Sequence, residues 1–157
     1  MRFALAVGAV VLTSAGQAQA QAVLDARAAE TIVHGCATQA LARKQSHAIV
    51  VVDIGGHVVA ALRMDGNGTG VFDFALAKAQ AAAAWGFSTA QMAEAVKGTP
   101  GFASAPHVVT VAGGVPVFSA EGKARLGAAG ASGEAPEDDA ACVEAGIKAA
   151  GLRSSRP

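Results

Sequence analysis

The 157-residue sequence predicts a mixed α/β (α+β) domain, in which an antiparallel sheet of about five strands carries helices packed on one face. Three features predict this class. Two β-branched runs flank a turn at Gly55-Gly56, a Gly113-Gly114 turn separates two further apolar runs, and an alanine-rich stretch of helical composition lies between them. The expected order of elements is α-ββ-αα-βββ-α.

Residues 1–20 have the layout of a secretory signal peptide. Arg2 supplies a positive charge, Phe3–Leu12 is an apolar core, and an A-x-A cleavage site ends at Ala20. We therefore expect a mature chain of residues 21–157 that forms a single domain in the periplasm or outside the cell, with no membrane span after cleavage. An uncleaved interfacial anchor is the competing interpretation.

The charge balance argues against a nucleic-acid partner. The chain has 12 basic and 12 acidic residues, whereas proteins that bind nucleic acid present a one-sided basic surface. Aromatic residues make up only 4% of the chain, and alanine and glycine are abundant. Small side chains favour tight packing of helices on a sheet, close subunit contacts or the binding of a flat ligand.

The first helix is predicted from Leu24 to about Lys44, because apolar residues recur there at helical spacing. His34 lies at the edge of the apolar stripe, where an imidazole can reach a partly dry slot and bind a metal. Cys36 lies about 200° away around the helix, so an undistorted helix cannot turn both side chains to one site. Cys36 and Cys142 either form a disulfide, which an exported protein can retain, or are two small buried side chains; we favour the second interpretation.

The first hairpin comprises Ile49–Val52, a turn at residues 53–56 and a return arm, Val58–Leu62. Both arms are apolar on successive residues and not only on alternate ones. Such strands must be covered on both faces, by helices on one side and by more sheet, a helix or a partner subunit on the other. Arg63–Gly66 then leaves the sheet with two opposite charges and a glycine, as a functional loop would.

The second half of the chain completes the order of elements. Pro116 places its strand at an edge of the sheet, because proline cannot donate to a strand ladder. Asp138 and Asp139 are attributed to the first turn of the last helix, where the helix dipole favours acidic residues. The predicted elements are helices at 71–85, 88–97 and 136–150 and strands at 108–112, 115–118 and 124–131.

Candidate site residues are few, because the sequence has no nucleophile elbow, zinc-ligand spacing or phosphate-binding loop. Among the histidines, His34 is the favoured metal ligand. His107 is second, since it lies at the mouth of a predicted strand and shares a loop with Phe102. Arg63 and Lys78 are cations that could pair with carboxylates of a ligand, although solvated surface charge explains them equally well.

Six short motifs follow one another along nearly all of the mature chain. They are Val51-Val52-Asp53-x-Gly55-Gly56-His57, Arg63-Met64-Asp65-Gly66, Ala77-Lys78-Ala79, Gly113-Gly114-x-Pro116, Gly127-Ala-x-Gly130-x-Ser132-Gly133 and Asp139-x-x-Cys142-x-x-Ala145-Gly146. Each motif is weak alone. Together and in this order they resemble the GlcG/HbpS family of small haem-binding proteins, which is also seen as the C-terminal domain of PduO-type corrinoid proteins.

The resemblance implies an antiparallel α/β domain that assembles into a homo-oligomer, a dimer or a larger ring, and binds haem or a related tetrapyrrole. In the corrinoid-linked branch, a histidine and a cysteine two residues apart in the first helix are implicated in ligand binding. His34-Gly35-Cys36 looks like that pair. The resemblance therefore implies a cofactor site with His34 as the iron ligand and Cys36 beside it. Arg63, Phe102 and His107 would line or rim the slot.

The leading hypothesis is an exported haem-binding protein in haem uptake, storage, degradation or redox sensing. Corrinoid binding is an alternative from the same resemblance. Another is an enzyme acting on a small oxygenated metabolite, with Asp53, His57 or Lys78 as acid or base. The last is a non-catalytic oligomeric scaffold, in which the two-sided apolar hairpin meets a partner. Whether the chain is an enzyme stays open at this point.

Overall fold

A computed structural model describes residues 23–157, so the expected signal peptide at residues 1–20 lies outside the described range. Within that range the chain forms four α-helices, a short 3-10 helix and four β-strands. The helices are α1 (Ala26–Ala42), α2 (Thr69–Trp85), α3 (Thr89–Gly98) and α4 (Pro136–Ala149), and the 3-10 helix spans Pro100–Ser104. The strands are β1 (Ala48–Asp53), β2 (Val58–Arg63), β3 (Gly114–Phe118) and β4 (Arg125–Ser132).

The sheet contains four antiparallel strands in the order β2-β1-β4-β3, so β2 and β3 are its edges. The mixed class and the antiparallel sheet are confirmed, but the expectation of about five strands is wrong. Residues 108–112 form no strand. The chain turns at His107, which has a left-handed φ of 59°, and enters the sheet only after Gly113, with φ of 125°. The observed order is therefore α-ββ-αα-ββ-α.

Helices cover both faces of the sheet, and the expectation that they pack on one face is wrong. α1 lies over Ile49 and Val51 of β1, with α4 beside it over β4 and β3, whereas α2 packs on the other face against Val50 and Val52. The cause lies in the sequence of β1. Successive side chains of a strand point to opposite faces, so a strand that is apolar at every position needs cover on both.

The layer of α2 lies close to β4 because both elements consist of small residues. A Cβ added to Gly130 would collide with the Ala75 carbonyl oxygen in α2. Alanines from α2 and β4 fill most of the remaining space in this layer. The alanine- and glycine-rich composition therefore sets the distance between helix and sheet.

A disulfide between Cys36 and Cys142 joins α1 to α4, so the favoured interpretation of two separate cysteines is wrong. The two helices can approach closely because glycines lie at their contact. A Cβ on Gly35 would lie 2.9 Å from the Cα of Gly146. The bond links positions separated by 106 in sequence, and disulfides of small exported domains contribute about 2–5 kcal/mol of stability.

The return arm of the first hairpin is not interior. Ala48–Val52 of β1 are fully buried, but Val58 and Leu62 of β2 are 51% and 36% exposed. α2 lies across β1, β4 and β3 and leaves β2 largely bare. The expectation of cover on both faces therefore holds for β1 and fails for β2 in the single chain.

Candidate functional site

His34 lies on the exposed side of α1, and Cys36 lies on the buried side of the same helix. This is the separation that helical geometry predicts for two residues so spaced. Leu41 follows His34 by about two turns and shares its side of the helix. Since Leu41 is 69% exposed, α1 presents an imidazole and an isobutyl group in one direction, about 10 Å apart along its axis.

Cys36 is separated from His34 by its disulfide as well as by its direction. Its sulfur is bonded to that of Cys142, and the residue is fully buried. A disulfide sulfur has no thiolate to offer to a metal. The structure therefore does not bring the two members of the predicted pair to one site.

An open cleft of about 380 Å³ lies between the C-terminal end of α1 and the end of β2. Ligand sites in proteins begin at about 300 Å³, so this volume lies within their range. The apolar part of the wall comes from Leu41, Leu62 and Met64, and Arg63 contributes a cation. The full lining consists of Leu41, Gln45, Ser46, Leu62, Arg63, Met64 and Asp65.

Hydrogen bonds fix the loop after β2, which forms one side of this cleft. The amide of the buried Asn67 donates to Ser46 Oγ at 2.9 Å and to the Met64 carbonyl oxygen at 3.2 Å. The Ser46 hydroxyl donates to the carbonyl oxygen of Asp65 at 2.6 Å. Arg63 donates to the carbonyl oxygen of Asn67. That bond uses only part of the donor capacity of a guanidinium, so N–H groups remain for a carboxylate.

Phe102 and His107 lie elsewhere, against the C-terminal half of α2. Phe102 packs edge-on against Trp85, with ring centroids 4.8 Å apart. The Trp85 indole N–H donates to the Pro106 carbonyl oxygen at 3.0 Å, which holds this loop on the helix. His107 is exposed and lines a second cleft of about 100 Å³ beside the Gly55-Gly56 turn. That volume is below the range of ligand sites.

The predicted site residues thus fall into two groups. His34 and Arg63 lie on the side of α1 and β2, but only Arg63 lines the cleft; His34 is exposed about two turns of α1 before the lining residue Leu41. Phe102 and His107 lie beside α2, which covers the opposite face of the sheet from α1. The structure does not bring the two groups together in one slot.

A buried ionic network joins α2, α4 and the segment just before β1. Lys78 Nζ donates to Asp139 Oδ2 at 2.8 Å, and His47 Nδ1 lies 3.0 Å from the other carboxylate oxygen. None of the three residues is more than 1% exposed. The Ala131 carbonyl oxygen accepts from Lys78 at 3.1 Å, and the Glu134 backbone N–H donates to Asp139 at 3.2 Å.

The sequence does not predict this network. Asp139 does lie in the first turn of α4, as expected, but its partner Lys78 is 61 positions away. The available signal is a lysine within the alanine-rich stretch 75–84, because a buried ammonium needs a counter-charge. His47 Nε2 has no hydrogen-bond partner among residues 23–157. The charges of Lys78 and Asp139 are paired and buried. We therefore infer that the network stabilises the packing of α2, α4 and the segment before β1, and that it is not part of the candidate ligand site.

Asp53 closes the turn between β1 and β2. Its Oδ1 accepts the backbone N–H of Gly55 at 2.8 Å and that of His57 at 2.9 Å. The His57 N–H is the main cause that holds the pKa of Asp53 below its ordinary value of 3.8, and the nearby His57 ring adds to this. The hairpin tip therefore carries a fixed negative charge at neutral pH.

In residues 23–157, no three or more His, Cys, Asp or Glu side chains lie together in a group that could hold a metal ion. None of the helices in this part of the chain is both long enough and apolar enough to cross a membrane.

Comparison with known proteins decides the family. The family model described as "Haem degrading protein HbpS-like" matches residues 24–148. The chain belongs to the HbpS-like family. The resemblance to GlcG/HbpS proteins is thereby confirmed. No curated protein sequence matches this HbpS-like chain significantly.

Solved structures share the fold of this HbpS-like chain. A double mutant of HbpS from Streptomyces reticuli aligns with a TM-score of 0.76 and 26% identity, over 90% of this chain and 97% of that one. ORFY from Klebsiella pneumoniae aligns with a TM-score of 0.76 and 24% identity, over 89% and 97%. PduOC, solved as a complex with haem, aligns with a TM-score of 0.76 and 20% identity, over 86% and 100%. These alignments show a common fold.

Proposed function

We propose that this HbpS-like protein binds haem in the cleft between α1 and β2. The observation that carries the proposal is the match of residues 24–148 to a family described as haem degrading. PduOC, which shares the fold, has been solved with haem. The cleft of about 380 Å³ supplies a place of suitable volume on this chain.

The residues around the cleft fit a flat apolar molecule that carries carboxylates. Leu41 and Leu62 are 69% and 36% exposed, so a macrocycle laid against them would remove hydrocarbon from water. Arg63 offers charge-assisted hydrogen bonds to a carboxylate. The cleft beside His107 measures only about 100 Å³, and for that reason we leave Phe102 and His107 out of the proposed site.

His34 is the proposed iron ligand. It shares the exposed side of α1 with Leu41, whereas His47 is fully buried and engaged with Asp139. Bound haem supplies the iron chemistry, and the chain binds, orients and partly shields it. Cys36 takes no part in the oxidised protein, because its sulfur is in the disulfide.

We also propose that the protein is exported to the periplasm or the cell exterior and assembles into a homo-oligomer. The signal-peptide layout of residues 1–20 supports export. The Cys36–Cys142 disulfide supports it as well, because such bonds persist in oxidising compartments. Haem uptake, storage or redox sensing would each use a haem-binding protein in this location.

Titration of haemin into the mature chain, residues 21–157, tests the site. We expect a saturable shift of the Soret band. His34→Ala should lose the shift or weaken binding by at least about tenfold, because it removes the iron ligand. Arg63→Ala should weaken binding less, because it removes a surface charge and not the iron bond. His57→Ala is the matched control, since its side chain is 82% exposed at the far end of the hairpin.

The outcomes of this titration are distinct. An unchanged spectrum and affinity in His34→Ala would remove His34 from the site. A wild-type chain that ignores haemin but binds cobalamin would replace haem with a corrinoid. A chain that binds neither would overturn the proposed function.

Haem degradation is a second candidate function, favoured by the description of the family model. Oxidative opening of the ring needs O₂ and an electron donor, so the assay supplies ascorbate in air. Loss of the Soret band together with release of iron would support turnover. A stable Soret band under these conditions would show that the protein binds haem but does not degrade it.

A further inference from the structure

The chain after α4 is held against the edge strand β3. Phe118 and Arg153 exchange two backbone hydrogen bonds, of 2.8 and 3.2 Å. The guanidinium of Arg156 lies over the Phe118 ring, 5.8 Å from its centroid. The last residue packs on the turn between β3 and β4, where a Cβ added to Gly122 would lie 2.8 Å from the ring of Pro157. The side chains of this segment therefore have fixed positions before any ligand arrives.

A cleft of about 200 Å³ lies between this segment, β3 and the loop that joins α2 to α3. Its apolar lining comes from Phe87, Pro116 and Phe118. Clefts that enclose drug-sized ligands begin at about 300 Å³. The smaller volume suits a molecule with a single ring and excludes a macrocycle.

The polar groups that line the same cleft are mainly hydrogen-bond donors. The Gln91 carboxamide oxygen accepts the Ser88 backbone N–H at 2.8 Å, so the NH₂ end of this side chain remains for a ligand. Ser154 and Ser155 contribute hydroxyls, and Arg156 contributes a guanidinium, which can only donate. Such a set of groups matches the acceptor oxygens of an anion.

No carboxylate of the described chain balances the charge of this cleft. Arg156 forms no ion pair with the described residues, and none of those that line the cleft is acidic. Arg125 lies against Gly86 at the C-terminal end of α2, where a cation offsets the negative end of the helix dipole. Gln91 is in the first turn of α3, at the positive end of that helix. The cleft therefore combines apolar walls with a positive potential.

The neighbouring cleft has a different charge pattern. It measures about 350 Å³ and shares Ser154 and Ser155, but Glu144 lines it together with Lys148 and Arg153. Because both signs of charge are present there, an anion gains less from that cleft than from the smaller one.

We propose that the smaller cleft binds a small planar carboxylate, such as an aromatic acid. The ring packs against Phe87 and Pro116, which removes it from water. The carboxylate accepts charge-assisted hydrogen bonds from Arg156, whose planar fork matches it in geometry, and further ones from Gln91 and Ser155. This site does not depend on the proposed haem cleft, which lies at the opposite edge of the sheet.

Titration of benzoate into ¹⁵N-labelled mature chain, followed by NMR, tests the site. We expect saturable shifts of the backbone signals of Phe118, Ser154 and Ser155 and of the side-chain NH₂ signals of Gln91. Benzamide has the same ring without the charge, and inorganic phosphate has a charge without the ring. Each should bind at least about tenfold more weakly than benzoate.

Variants locate the site on the chain. Arg156→Ala should raise the Kd of benzoate by at least about tenfold, because it removes the charged donor. Arg27→Ala is the matched control, since it removes the same charge at an exposed position on α1. Its Kd should stay within about twofold of the wild-type value. Ser155→Ala removes one exposed hydroxyl and should raise the Kd about threefold. It decides the matter if the spectrum of unliganded Arg156→Ala shows that the pairing of Phe118 with Arg153 is lost.

The contrary outcomes are specific. A wild-type chain that shows no saturation up to about 10 mM benzoate overturns the site. Equal affinity for benzamide overturns the role of the charge, and equal affinity for inorganic phosphate overturns the role of the ring. An unchanged Kd in both Arg156→Ala and Ser155→Ala overturns this location. Haemin binding is measured separately by the Soret band, so the failure of either site leaves the other in place.

Discussion

β1 and β2 are hydrogen-bonded neighbours with similar compositions, AIVVVD and VVAALR. Ala48–Val52 are nonetheless fully buried, whereas Val58 is 51% exposed. β1 lies between β2 and β4 and has α1 and α2 on its two faces, whereas β2 has a strand on one side only. The position of a strand in the sheet, more than its residue types, determines what the single chain buries.

The two strands contribute unequally to the stability of the single chain. Apolar area buried in β1 stabilises the folded chain by about 25 cal/mol per Å². Val58 and Leu62 of β2 contribute less, because they keep 51% and 36% of their surface in water. Substitutions in β1 should therefore change the free energy of unfolding more than substitutions at the exposed positions of β2.

The largest effect is expected next to the buried end of β1, where His47 contacts Asp139. Asp139→Ala would leave Lys78 as a buried cation without its carboxylate, which costs about 3–5 kcal/mol of unfolding free energy. Asp138→Ala is the matched control, because Asp138 meets Arg43 at 3.3 Å at the surface, and such pairs contribute less than about 1 kcal/mol. Urea unfolding followed by circular dichroism measures both variants. Equal losses would show that the network does not anchor this end of β1.

A matched pair of valines tests the comparison directly. Val51→Ala empties space in the core beneath α1 and should cost about 1.5–3 kcal/mol of unfolding free energy. Val58→Ala should change it by less than about 0.5 kcal/mol, because the side chain is already half in water. The measurement is urea unfolding at low protein concentration, where assembly adds no stability. If Val58→Ala costs as much as Val51→Ala, β2 is as important to the folded monomer as β1.

The smallest effect is expected at the turn that connects the two strands. The pKa of Asp53 is lowered below 3.8 in the folded chain, so its ionised form stabilises the fold above the unfolded pKa. That contribution disappears as pH falls below about 4. Asp53→Asn should remove this part of the acid sensitivity, at a cost of less than about 1 kcal/mol at neutral pH because water screens the exposed carboxylate.

An NMR titration of the carboxyl carbons measures the same shift without a substitution. The Asp53 signal should titrate below 3.8 in the folded wild-type chain. A midpoint above that value would contradict the role of the two backbone N–H donors.

Local patterns in the sequence predict the elements that depend on near neighbours. The Gly55-Gly56 turn forms as expected, and the helix predicted at 88–97 forms as α3, where Ser88 Oγ accepts from the Gln91 backbone N–H at 3.2 Å. The opposite directions of His34 and Cys36 also follow from helical geometry alone. In each case the relevant atoms lie within about a turn of one another along the chain.

Local sequence patterns cannot predict features that depend on contacts between distant segments of the chain. The apolar run at 108–112 has the composition of a strand, but no neighbour in the sheet receives it. Nothing local to Val58 distinguishes an edge from a centre. Likewise, a carboxylate at the start of a helix gives no sign of a lysine 61 positions away. The cleft that joins Leu41 to Arg63 exists only because α1 lies over β2.

The covalent link between α1 and α4 turns most of the polypeptide into a closed ring. The segment from Cys36 to Cys142 contains all four strands of the sheet, and only two short arms of the described chain extend beyond it. A protease that nicks any one exposed loop inside the ring, such as residues 98–112, would open it without releasing a fragment. The severed halves would part only in the presence of a reductant.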